Sequence, residues 1–73
     1  MEIRQLSVTD GMIGVSVEEL DIRRKYGLNI IAIEQGRTTY IEVSSQHRFH
    51  KDDNVTAIGR VENFKRFVAA MEK

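Results

Sequence analysis

The chain contains no cysteine, no proline and no tryptophan. Without cysteine there is no disulfide to staple a small fold and no thiolate to hold a metal. That lack fits a reducing compartment. Charge of one sign is missing too: 11 basic and 11 acidic residues cancel. Nucleic-acid domains usually carry a basic excess, so the balance gives no reason to expect DNA, RNA or an anionic membrane as a partner. Long apolar runs are absent, and no segment approaches the length of a membrane span. No secretion signal opens the sequence. A membrane role would therefore need another chain or domain to bring this one there.

What is present suits a folded globule: 41% of residues are hydrophobic and 30% are charged. Seventy-three residues make one domain at most. A chain this short buries only about 60% of the surface its unfolded form exposes. Such domains lean on disulfides, metals or a second subunit. With the first excluded, a homodimer is the expected source of extra burial.

The strongest local signals lie in Gly14–Ile33. Ser16 and Glu19 form an S-x-x-E capping box and predict a helix start. Glu18 and Glu19 sit at its positive end and Arg23, Arg24 and Lys25 at its negative end, the order the macrodipole favours. Gly27 is placed to stop the helix. Leu28–Ile33 then reads as a strand apolar on both faces, interrupted only by Asn29. Such a strand must be covered on both sides, by its own helices and by a second subunit.

Around this core, residues 2–8 predict an edge strand with Arg4, Leu6 and Val8 on one face. Gln35-Gly36-Arg37-Thr38 predicts a hairpin turn. Thr38–Val43 alternates as a third strand, and 44–54 is a polar loop anchored by Phe49. Val55–Ile58 forms a short fourth strand ended by Gly59. Val61, Phe64, Phe67, Val68 and Met71 recur at helical spacing. The expected fold is α+β, a β-α-β-β-β-α domain over residues 2–72 with a mostly antiparallel four-stranded sheet and two helices.

The residues give no catalytic set. Ser44 and Ser45 lack a nucleophile elbow, and two histidines alone do not complete a triad. His47 and His50, with Asp52 and Asp53 nearby, are a conceivable metal site, but no third ligand is clear and a solvated loop is the stronger reading. No metal is assigned. Asp52-Asp53 fits a turn better than a pair of acid–base carboxylates, because neighbours on an extended segment point apart. The phosphate-loop patterns are both missing, so no dinucleotide or NTP fold is encoded. An apolar cleft between subunits, floored by Ile30, Ile31 and Val43 with Arg37 as a polar contact, remains beside plain dimer packing.

The run Gly14-x-Ser16-Val17-x-Glu19-Leu20-Asp21-Ile22-Arg23-x-Lys25-Tyr26-Gly27-x-Asn29-Ile30-Ile31-Ala32-Ile33 resembles the TrkA C-terminal domain, also called RCK-C. Weaker agreement continues through Gly36, Phe49, Asp53, Val55, Ile58-Gly59, Phe64 and Phe67. The resemblance implies a non-enzymatic, cytoplasmic, dimeric regulatory domain that senses a ligand for a potassium or other cation transporter or channel. The family's module usually follows a Rossmann-type domain, which links it to the membrane subunit. It requires no cofactor, and some members bind cyclic di-AMP at the dimer interface. Carried over, that ligand's contacts fall at Ile30, Ile31, Arg37, Val43 and Ser44.

Overall fold

A computed structural model describes residues 1–72. Its elements are β1 (Glu2–Ser7), α1 (Val17–Leu20), α2 (Ile22–Tyr26), β2 (Asn29–Gln35), β3 (Thr38–Tyr40), β4 (Asn54–Gly59) and α3 (Val61–Met71). The strands form one antiparallel sheet in the order β1-β4-β2-β3. The expected α+β class and four-stranded antiparallel sheet are both present.

The last strand in sequence is a central one. β4 pairs with β1 along Glu2–Ser7 and with β2 along Asn29–Glu34. Its alternation is regular: Val55, Ala57 and Gly59 are buried and the residues between them half-buried. Gly59 does not end this strand but belongs to it. A Cβ there would lie 2.4 Å from a Leu28 methyl, so the bare backbone is what lets Leu28 pack. β1 is an edge, as expected, and Arg4 pairs with Glu2 at 2.7 Å on it.

A bulge interrupts β2. Ile30 faces Ala57 and Ala32 faces Thr56, so Ile31 is one residue too many for the ladder. Cross-strand partners share a face. Ile30 therefore points inward with Ala57, and after the bulge Ile33 points inward with Val55. Ile33 is fully buried, whereas Ile31 is 39% exposed. β3 pairs with β2 only from Ile33 to Gln35. The third strand is thus shorter than the sequence pattern predicts. Its ladder stops where β2 enters the bulge and bends. Ile41 and Val43 fall outside it.

The helix predicted from Ser16 to Gly27 is two pieces. Asp21 adopts a left-handed conformation, φ 51° and ψ 45°, and separates α1 from α2. The helix start is as expected: Ser16 Oγ accepts the Glu19 N–H at 3.0 Å. The reciprocal half of the capping box differs, since the Glu19 carboxylate accepts the Ser16 hydroxyl at 3.1 Å. Gly27 closes α2 at φ 67°, its N–H donating to the Arg23 carbonyl. Tyr26 then meets Phe67 of α3 edge to face, centroids 5.2 Å apart. Phe49, Phe64, Met12 and Leu28 complete the core on the helical side of the sheet.

Aspartate tolerates the left-handed region better than a β-branched residue does. Asp21→Val should lower stability by about 1–2 kcal/mol. Asp21→Gly should stay within about 0.5 kcal/mol of the parent. Urea denaturation measures both, and equal stability of the two variants would refute the broken helix.

Candidate functional site: a cleft and the loop that walls it

A cleft of about 310 Å³ opens between α1–α2 and the start of β2. Val17, Ile22, Leu28, Ile30 and Val43 give it an apolar floor. Glu18, Asp21, Arg23, Asn29 and Ser45 supply its polar rim. The break at Asp21 shapes one side, because it lets α1 and α2 contribute residues at different angles.

The other side is the loop after β3, held by backbone hydrogen bonds. The first N–H groups of a helix have no partner within it. Here Val17 N–H donates to His47 C=O at 2.9 Å and Glu18 N–H to Ser45 C=O at 3.0 Å. With Ser16 Oγ taking the Glu19 N–H, the α1 start is fully used by the protein itself. Gly14 N–H and Phe49 N–H, donating to Phe49 C=O and Val15 C=O, extend this clasp.

Asp53 locks the loop's far end. Its side chain is fully buried and accepts from His50 N–H (3.0 Å), Gln35 Nε2 (3.0 Å) and His47 Nε2 (3.1 Å). Gln35 Nε2 also meets His50 Nδ1 at 2.8 Å. The His47 ring lies 5.8 Å from both Tyr40 and Phe49. Burial pushes the Asp53 pKa up, but the bonds from His50, His47 and Gln35 and the charge of His47 outweigh it and hold the carboxyl below its ordinary value.

Of the five residues assigned by resemblance, Ile30 and Val43 come together in the cleft. Ile31 sits at the bulge and does not line it. Arg37 is exposed at the hairpin, also outside the lining, where Gly36 takes φ 61° as expected. Ser44 is exposed beside the lining residue Ser45, and its Oγ accepts the Gln46 N–H at 3.1 Å. The sequence reading missed Arg23, taken only as a complement to the helix dipole, and Gln35, taken only as a turn residue. Asn29 did carry a signal, as the lone polar residue of an apolar strand.

The family model for the TrkA-C domain matches residues 2–71. The chain belongs to the TrkA-C domain family. Among curated proteins it is 37% identical over 54 residues to Ktr system potassium uptake protein C of Bacillus subtilis strain 168. That match covers 74% of this chain and 24% of the relative, so the chain spans about a quarter of that protein's length. A solved KtrA potassium transport protein, its RCK C domain in complex with cyclic diadenosine monophosphate, superposes with TM-score 0.87 at 36% identity, covering 90% of this chain and 78% of that one. The RCK_C domain dimer of S. agalactiae BusR, also with c-di-AMP, superposes with TM-score 0.85 at 18% identity, covering 99% and 97%, a likeness of fold alone. BusR has also been solved in complex with its busAB-promotor DNA. The expected absence of a nucleic-acid partner thus rests on this TrkA-C domain's own charge balance and does not extend to longer proteins that carry the fold.

A depressed carboxyl pKa stabilises the fold fully above its unfolded value, 3.8, and ceases to do so as pH falls through the lower folded value. Asp53→Asn leaves donors unpaired and should cost about 1–3 kcal/mol at neutral pH. Its melting temperature should also fall less than the parent's as pH drops below 4. Thermal melts across pH check both.

Proposed function

We propose that this domain is a regulatory ligand sensor of a potassium or other cation transport system, that it works as a homodimer, and that its ligand is cyclic di-AMP or a related nucleotide. The observation carrying this is the 36%-identical KtrA domain, which has the same fold and was solved with that ligand. The cleft floored by Ile30 and Val43 supports it, because ligand sites favour concave apolar floors with few polar groups. The homology to a potassium uptake protein supports the transport context. Ligand contacts at Ile31, Arg37 and Ser44 belong to the same proposal; in the monomer these three stand outside the cleft, so they would serve only across an interface.

Dimerisation is supported by apolar area left open on one chain. Ile3 is 63% and Ile41 75% exposed. A second copy would cover such area, as the BusR domain dimer illustrates for the fold. The role is non-enzymatic. Among the described residues no hydrogen bond joins Ser44 Oγ to a histidine ring: Ser44 Oγ accepts the Gln46 N–H and His47 Nε2 meets Asp53, so no nucleophile–base pair is assembled. Regulation then requires only that the ligand bind two subunit arrangements with different affinity.

Calorimetric titration of the full chain with cyclic di-AMP is the direct test. Binding is expected, with Ile30→Asp or Val43→Asp weakening it about tenfold or more, a loss of about 1.4 kcal/mol. No heat at high concentration removes this ligand and leaves a ligand-free dimerisation module. A well-folded monomer by sedimentation at high concentration removes the interface as well.

A further inference from the structure

We propose that His47, His50 and Asp53 form a binding site for a divalent transition metal of the zinc class. The spacing is regular, each residue three after the last, and the loop curls so that their donor atoms converge. One ligand atom from each lies within 4.8 Å of the other two. His47 Nε2 and His50 Nδ1 are 3.1 and 3.9 Å from Asp53 Oδ2. A zinc ion with ligands at about 2.0–2.2 Å separates tetrahedral donors by about 3.3–3.6 Å. The two separations from Asp53 Oδ2 bracket that range, and rotation of the exposed His50 ring would close the remaining gap.

The donor set favours this class of metal. Two imidazole nitrogens and one carboxylate suit zinc, nickel or copper and not magnesium or calcium, which prefer all-oxygen shells. Gln35 Nε2 lies 2.8 Å from His50 Nδ1, and a metal on that nitrogen would displace this contact, since one imidazole lone pair cannot serve both. The metal takes the place of the proton His47 shares with Asp53 and releases it to solvent. Gln35 Nε2 keeps its bond to Asp53 Oδ1, and the His50 N–H still orients the carboxylate. His50 is the exposed member, with 66% of its side chain open, so a fourth position faces water.

Occupancy would join the end of β2, through Gln35, to the loop that walls the cleft and to the residue before β4. The same loop supplies the Ser45 and His47 carbonyls that hold α1. A bound metal would therefore stiffen one wall of the cleft whether or not a nucleotide uses it.

The test is calorimetric titration of the chelator-treated full chain with zinc sulfate, with magnesium chloride as control, together with thermal melts. One zinc per chain, a raised melting temperature and no response to magnesium are expected. His50→Ala, at an exposed position, should fold normally and lose tenfold or more in zinc affinity. Imidazole nitrogen shifts of both His47 and His50 on zinc addition should identify the ligands without any substitution. Absence of zinc binding by the parent chain, or zinc affinity unchanged in His50→Ala, would overturn the site.

Discussion

One extra residue in β2 decides which side chains reach the interior. Strand side chains alternate strictly, so inserting Ile31 inverts the parity of everything after it. Before the bulge, Ile30 faces inward; after it, Ile33 and Gln35 do. Had the strand been regular, Ala32 and Glu34 would have followed Ile30 inward. Ile33 would have lost its fully buried place against Val55. An acidic side chain would also have stood beside the buried Asp53 carboxylate, where like charges oppose ionisation. The bulge puts an amide donor there instead, one position beyond the Glu34–Asn54 pair.

That carboxylate in turn organises the loop. A buried charge is tolerated only when its lone pairs are used. Asp53 uses them on one strand residue and two loop residues, which fixes His47 and His50 in space. With His47 fixed, its carbonyl and that of Ser45 meet the free N–H groups of α1. The four-residue α1 could not persist alone, since helix nucleation is costly. It exists because a loop far along the chain supplies its missing acceptors, the carbonyls of Ser45 and His47. Cleft wall and short helix are therefore two sides of one hydrogen-bonded clasp.

Much of this was legible beforehand, for physical reasons that differ by element. The Ser16 cap, the Gly27 stop, the Gly36 turn and the inward face of α3 are local, and local chemistry leaves a mark in sequence. The bulge left none: Ile30, Ile31, Ala32 and Ile33 are all apolar, so no polar residue reveals the change of phase. The same uniformity suggested a strand apolar on both faces, where the structure has one residue out of register. The break at Asp21 was hidden inside a good helical charge pattern. Asp53 read as half of an acidic turn because its three partners lie at 35, 47 and 50, and only folding brings Gln35 to it. The cleft showed the same division. Ile30 and Val43 were legible both as apolar floor residues and through resemblance, while Arg23 was explained by a local role that was true but incomplete.

The electrostatics of that cleft bear on why the proposed sensor needs two copies. Within one chain its rim offers Glu18, Asp21 and a single cation, Arg23. Asp21 is matched by Arg24, and Glu18 accepts the Gln46 amide at 3.2 Å. The N–H groups of the α1 start are already taken by loop carbonyls and are not open to a phosphate. One chain thus has little positive charge to spare for a ligand carrying two phosphates. A two-fold pair doubles Arg23 and can place other exposed cations, such as Arg37, against the same ligand. A site incomplete in the monomer responds to ligand by favouring one arrangement of the pair, which is what a regulator acting through subunit geometry requires.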